Sequence, residues 1–156
     1  MYRVEVVQAT LVTPELLHNL LELSQAIPEF DNAYPIAEYQ TRLSGKPMLA
    51  LFIKVEGEVA GFKLGYELNN GQFYSWMGGI LTELRGLGLA KQLLLAQEHW
   101  AQEQGYHRIE VKTLNRFTSM LKMLISNQYQ ITNLKQDTDK LELNKITLQK
   151  SLICLM

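Results

Sequence analysis

The 156-residue chain has one cysteine, Cys154, two residues from its end. One thiol cannot close an internal disulfide, and it belongs to no cluster with metal-ligand spacing. It reads as a small apolar residue of a terminal strand, and a reducing cytoplasm is the expected location. A surplus of charge is also lacking: the formal net charge is -1. Nothing drives binding to a phosphate backbone, so nucleic acid is not expected as a partner. No apolar run approaches the roughly 18 residues of a membrane span, so no membrane partner is expected. The opening stretch Tyr2-Arg3-Val4-Glu5-Val6-Val7 alternates and carries an acid, which reads as a strand rather than a signal peptide. His18, His99 and His107 are scattered, and no bound metal is expected. Internal repeats are absent. What is present, 47% hydrophobic and 20% charged residues, suits a single globular domain over 1–156.

Residues 2–8 alternate and predict a first strand. Thr13-Pro14-Glu15 is a helix start, with a capping hydroxyl, a proline suited to the first turn and an acid at the positive helix end. Leu16, Leu17, Leu20, Leu23 and Ile27 lie on one face, and Pro28 ends the helix. Asp31-Asn32 suggests a loop. Pro35 opens a short helix with Ile36, Tyr39 and Leu43 on one side, closed by Gly45-Lys46-Pro47. Three strands follow over 48–55, 59–68 and 72–80. Their joints, Glu56-Gly57-Glu58 and Asn69-Asn70-Gly71, are tight-turn sequences, so the three form an antiparallel meander.

The period then changes. Residues 86–104 are helical, with Leu89, Leu93, Ala96 and Trp100 on one stripe and Leu87, Ala90, Leu94 and Ala101 beside it. Gly105 sits where a C-terminal glycine belongs. A strand over 107–113 completes a βαβ crossover, so its pairing should be parallel. A short helix over 117–127, a strand over 129–134 and a final strand or two over 141–152 finish the chain. The order predicts a mixed α/β sheet, antiparallel early and parallel at one junction, of about seven strands flanked by about four helices.

The segment from Ile80 to Lys91 joins a strand to the longest helix. Gly86, Gly88 and Ala90 let the backbone turn tightly and approach a ligand. The free N–H groups of the first helical turn and the helix dipole make an anion site, which suits a pyrophosphate. Arg85 can pair with a phosphate oxygen. The plainer reading is that the glycines only allow strand-to-helix packing. A P-loop would need Gly-Lys-Ser/Thr where Gly88-Leu89-Ala90 stands, and the dinucleotide fingerprint would need a small residue at Lys91.

Arg85-Gly86-Leu87-Gly88-Leu89-Ala90 matches the Arg/Gln-x-x-Gly-x-Gly/Ala signature of the GNAT superfamily of N-acetyltransferases, and the order of elements resembles that fold over nearly the whole chain. The resemblance implies acetyl-coenzyme A as cosubstrate and an amine-bearing small molecule or peptide as acceptor. It implies that backbone around Ile80, Leu81 and Thr82 pairs with the pantetheine arm. The turn from Arg85 through Gly86, Leu87, Gly88, Leu89 and Ala90 to Lys91 would hold the pyrophosphate. Asn115 would lie near the coenzyme arm; its alternative is a helix N-cap. Many members carry a tyrosine that protonates the leaving thiolate. Here that position holds Leu124, and the usual Gly-Phe after it is Gln128-Tyr129. A tyrosine acid is therefore not expected, and a silent acyl-coenzyme A sensor is the competing reading.

Direct transfer needs an uncharged amine, and an alkyl ammonium with a pKa of about 10 must first lose a proton. Glu29, in the loop between the first two helices, is the leading candidate to attract the ammonium or accept that proton; a solvated loop acid is the bland alternative. Glu67 is the second candidate. Tyr66, Tyr74 and Trp76 on the central strands, with Tyr34, either wall an acceptor pocket or belong to the core. The apolar stretch 152–156 offers an edge for pairing two subunits into a homodimer.

Overall fold

The computed structural model describes residues 2–30, 34–69 and 71–153. They form β1 (Val4–Ala9), α1 (Pro14–Ala26), α2 (Ile36–Leu43), β2 (Met48–Val55), β3 (Glu58–Asn69), β4 (Gln72–Ile80), α3 (Leu89–Glu103), β5 (Arg108–Leu114), α4 (Thr118–Ser126), β6 (Gln130–Lys135) and β7 (Lys145–Ser151). The strands make one seven-stranded sheet in the order β1-β2-β3-β4-β5-β7-β6. All neighbours are antiparallel except β4 and β5. This is the mixed sheet that the sequence pattern predicts.

Local chemistry explains most of the boundaries. The Thr13 hydroxyl accepts from the Leu16 N–H at 3.1 Å, and Pro14 occupies the first helical turn. That pairing satisfies one of the orphan donors of α1. The long helix starts at Leu89 rather than at Gly86, because Gly86 (φ 85°) and Gly88 (φ 78°) take left-handed conformations outside the helix. Of the final strand or two expected over 141–152, the structure has one, β7, preceded by a short 3₁₀ turn at Leu141–Leu143.

β2 shows how the sheet divides two cores. Leu49, Leu51, Ile53 and Val55 join the cluster under α3 and α4. Met48, Ala50 and Phe52 join the cluster under α1 and α2. Successive side chains point to opposite faces, so a strand covered on both sides reads as continuously apolar.

β7 lies between β5 and β6, so the free edges among the described residues are β1 and β6. Leu152 is buried, and its N–H donates to the His107 carbonyl. Of the stretch 152–156, through which a homodimer is expected, residues 154–156 lie outside the described residues. Cys154, Asp31, Asn32 and Asn70 lie outside the described residues.

One charge sits inside the α3-side core. Lys63 on β3 is 5% exposed and makes no hydrogen bond or ion pair among the described residues. The nearest compensation is the charge of Glu98 on α3. The Glu98 carboxylate is itself taken by the Tyr129 hydroxyl (2.9 Å) and the Lys150 ammonium (2.8 Å). Burial pushes the Lys63 amine down to about 8, against the pull of Glu98. Below that pH the folded and unfolded chains both carry the ammonium, and the folded one bears the full burial cost. Between it and the ordinary lysine value only the unfolded chain holds the proton, so the cost fades as pH rises. Lys63→Met should therefore raise stability most at pH 7, by about 3 kcal/mol, with the gain shrinking towards pH 10. Thermal melts across that range check it; a gain independent of pH would show that this amine is not desolvated.

Candidate functional site

β4 and β5 part company early. Their parallel ladder has four pairs, from Gln72 with Arg108 to Ser75 with Val111. β4 then runs on to Ile80 and β5 to Leu114. On its other side β4 stays paired with β3, but the register passes from Gly65–Ser75 to Leu64–Met77, leaving Trp76 as the extra residue of a bulge. A bulge bends its strand and increases local twist, which turns β4 away from β5. The Leu81 N–H donates to the Ala60 carbonyl on β3. Backbone polar groups alternate sides along a strand, so Ile80 and Gly78 turn theirs towards the side where β5 has left. The result is a wedge-shaped cleft with an unpaired strand edge on one wall.

The mouth of the cleft is the turn between β4 and α3. After a single 3₁₀ turn at Thr82–Leu84 come Arg85, Gly86, Leu87 and Gly88. Gly88 is the N-cap of α3, in the left-handed conformation and without a side-chain cap. The N–H groups of Leu89, Ala90 and Lys91 therefore lack the usual capping acceptor. A Cβ built on Gly86 or Gly88 would meet nothing within 4 Å. The glycines are not explained by crowding; they supply backbone angles and leave the surface before α3 open. Leu87 and Lys91 are exposed, while Leu89 is buried and anchors the helix.

Arg85 crosses this mouth. Its Nε donates to the Ile80 carbonyl at 3.1 Å, and its Nη2 meets Glu29 Oε1 at 2.6 Å. The Arg85 hydrogen bond and charge hold the Glu29 carboxyl below the usual range, against partial burial. Two residues expected to act separately are thus joined. Glu29 is not a free carboxylate, and of the expected pantetheine contacts the Ile80 carbonyl and the Leu81 N–H are already bonded within the chain.

Asn115 is not the N-cap of α4; Phe117 is, without a side-chain cap. The Asn115 amide instead donates to the Leu141 carbonyl at 3.3 Å, and its N–H to Asn144. It ties the end of β5 to the segment before β7. Glu67 lies at the closed end of the β4–β5 ladder, opposite Phe73, and accepts from the Tyr106 hydroxyl. On β3 it therefore stands beside the paired part of β4, not beside the stretch after Ser75. Leu124 is fully buried in the core under α3 and α4.

On the α1–α2 face the bulge residue Trp76 meets Tyr34 at 5.2 Å, Tyr39 at 5.3 Å and Tyr66 at 5.9 Å, and Tyr66 meets Tyr74 at 5.4 Å. The structure brings Tyr34, Tyr66, Tyr74 and Trp76 into one aromatic wall. Sequence reasoning missed the cation set into it. Arg42 of α2 lies 4.4 Å from the Trp76 ring centroid. An arginine one helical turn after Glu38 reads in sequence only as a surface i,i+4 pair. Lys63 gave a visible signal, a charge between Phe62 and Leu64 in an apolar strand.

Two hollows lie elsewhere. One of about 590 Å³ is lined by Glu67, Trp100 and Tyr106 at the closed end of the ladder. Another of about 560 Å³ lies between β1, α1 and α2. Neither includes the glycine turn, whose cleft Arg85 spans. No metal-binding cluster occurs among the described residues, and no described helix is long and apolar enough to cross a membrane.

An open strand edge beside an uncapped helix start, within this strand order, defines the acetyltransferase class. The chain belongs to the acetyltransferase (GNAT) family, whose model matches residues 16–123. Its fold is similar to that of the ribosomal-protein-S18-alanine N-acetyltransferase from Escherichia coli, with TM-score 0.81 and 12% identity over 97% of each chain. It is also similar to a Bacillus subtilis acetyltransferase in complex with CoA, with TM-score 0.71 and 19% identity over 98% of this chain and 100% of that one. A GNAT family acetyltransferase from Elizabethkingia anophelis with acetyl-CoA bound gives TM-score 0.70 and 15% identity over 95% and 97%. No curated protein matches the chain.

If the Arg85–Glu29 pair persists in solution, Arg85→Met should return the Glu29 titration to the ordinary glutamate range. A carboxyl-detected NMR titration checks this; an unmoved midpoint would mean that the pair does not form.

Proposed function

We propose that this protein transfers the acetyl group of acetyl-coenzyme A to a primary amine of a small molecule or peptide. The observation that carries this reading is the unpaired edge of β4 leading into the uncapped, glycine-opened start of α3. An extended arm ending in a diphosphate matches both parts: main-chain groups for the arm, and converging N–H groups with the helix dipole for the negative charge. The Ile80–Thr82 backbone, and Arg85 through Lys91, are the residues assigned to it. Neighbours of this fold that carry CoA or acetyl-CoA support the assignment.

Acetyl-coenzyme A, when bound, supplies the thioester whose acyl group is transferred. The chain's own residues do the rest. Backbone groups at Gly78 and Ile80 hold and orient the arm along β4. The aromatic wall around Trp76 keeps water from the α1–α2 side of the cleft.

Arg85 links the coenzyme to the acceptor. To pair with a phosphate oxygen its guanidinium must leave Glu29. The released carboxylate then faces the acceptor side and attracts an ammonium. While the pair lasts, Arg85 keeps Glu29 a poor proton acceptor; once Arg85 has turned to the phosphate, the released carboxylate accepts the amine proton, directly or through water.

Acetyl-coenzyme A should raise the melting temperature, and free thiol should appear when a suitable amine is added. Arg85→Ala should weaken coenzyme binding about ten-fold. Glu29→Gln, which removes the competing carboxylate, should tighten it about two- to five-fold. Calorimetric titration of both variants tests this. Unchanged affinity in Arg85→Ala would remove its phosphate role; binding without thiol release across a broad amine panel would favour a silent sensor.

A further inference from the structure

The bulge at Trp76 fixes where an acceptor must come from. The coenzyme assigned above enters at the head of α3, and its arm fills the gap between β4 and β5. The other approach to the end of that arm is from the α1–α2 face, onto which the Trp76 side chain projects.

That face is aromatic, as a pocket for an alkyl ammonium would be, but the cation position is already occupied. The Arg42 guanidinium lies 4.4 Å from the Trp76 centroid and 5.4 Å from that of Tyr34. Its Nη1 donates to the Tyr66 hydroxyl at 3.3 Å, and its Nε pairs with Glu38 at 2.9 Å. Its Nη2 has no hydrogen-bond partner among the described residues. Arg42 is thus held among the rings and by two hydrogen bonds, with one pair of N–H donors left to give.

Two lysines flank the same wall. Lys112 of β5, one residue beyond the last β4–β5 pair, sits 5.7 Å from the Tyr74 centroid. Lys46 sits 4.8 Å from that of Tyr66. Against these cations stand Glu38, spent on Arg42, and Glu110, which accepts from the Gln149 amide at 3.0 Å. A polyamine entering here would meet positive charge where it needs negative. A carboxylate would find an oriented guanidinium and an ammonium with no described ion-pair partner.

We propose that Arg42, with Lys112 opposite, is the specificity-determining pair of this enzyme, and that its acceptor is a small amino-carboxylate, a free amino acid. The inference rests on the acetyl-transfer reading and deepens it. The two ends of such a zwitterion match the two signs of charge on this face. Arg42 and Lys112 take the carboxylate, and Glu29, released when Arg85 turns to the coenzyme, attracts the ammonium. The aromatic wall between them takes an apolar side chain.

The test compares each amino acid with its carboxamide and with its decarboxylated amine in a thiol-release assay. The expected result is a kcat/KM at least about ten-fold higher for the acid. Arg42→Gln and, separately, Lys112→Gln should erase that preference through KM for the acceptor, while KM for acetyl-coenzyme A stays constant. Arg42→Lys should keep part of it. Lys112 is exposed, so its variant guards against an Arg42→Gln chain that fails to fold. Amides or plain amines used as well as the acids would overturn the inference. A second arm needs no turnover: N-acetyl amino acids and their amides are titrated calorimetrically into the protein with coenzyme A present. Acid-selective binding that Arg42→Gln abolishes supports the carboxylate site, and equal binding of acid and amide overturns it. Absence of thiol release with every amine, beside acid-selective binding, would instead count against acetyl transfer.

Discussion

The structure depends on a ladder that stops too soon. β4 and β5 are parallel strands with a helical crossover, and nothing in their length forbids continuous pairing. They part after Ser75 and Val111 because Trp76 adds a residue to β4. A row of backbone donors and acceptors left unpaired inside a protein is costly. Here the β4 edge beyond Ser75 has no strand beside it among the described residues, and the Ile80 carbonyl takes its hydrogen bond from Arg85. The same extra residue places an indole on the opposite face. A single local irregularity therefore opens the gap between β4 and β5 on one side and sets an indole among tyrosines on the other.

The two sides differ in what binds them. The α3 side offers main-chain N–H groups and a helix dipole, which recognise charge and shape but little else. The α1–α2 side offers side chains, a guanidinium beside an indole, and rings from α2, β3, β4 and the segment before α2, chemistry that can select among ligands. Such a division lets one part of the molecule stay constant while the other sets specificity. The Arg85–Glu29 pair joins the loop after α1 to the turn before α3, and on the proposed reading its exchange for a phosphate would couple occupation of the two sides.

Local features were legible in the sequence, and long-range ones were not. The start of α1 follows from Thr13-Pro14, and the glycine turn follows from backbone angles that other residues resist. Both are settled within a few positions, as is the order of strands and helices. The Arg85–Glu29 contact joins residues 56 positions apart, and Arg42 reaches Trp76 only because α2 crosses the sheet. The bulge itself carries no sequence mark, since Tyr74-Ser75-Trp76-Met77 reads as an ordinary strand. Asn115 misled for a related reason. It resembles a cap at a helix start, but the backbone continues to Phe117 before turning, and its amide goes to Leu141 instead.

α4 contributes packing where the family resemblance would look for an acid. Leu124 is completely buried and can offer no proton. The hydroxyl next along the chain in that core, Tyr129, is committed to Glu98, and burial beside that carboxylate pushes its pKa far up. A phenol so placed is a weaker acid than a free one, so Tyr129 is no substitute. On the proposed reading of acetyl transfer, the departing thiolate therefore takes its proton from water at the mouth of the cleft rather than from a phenol held in that core.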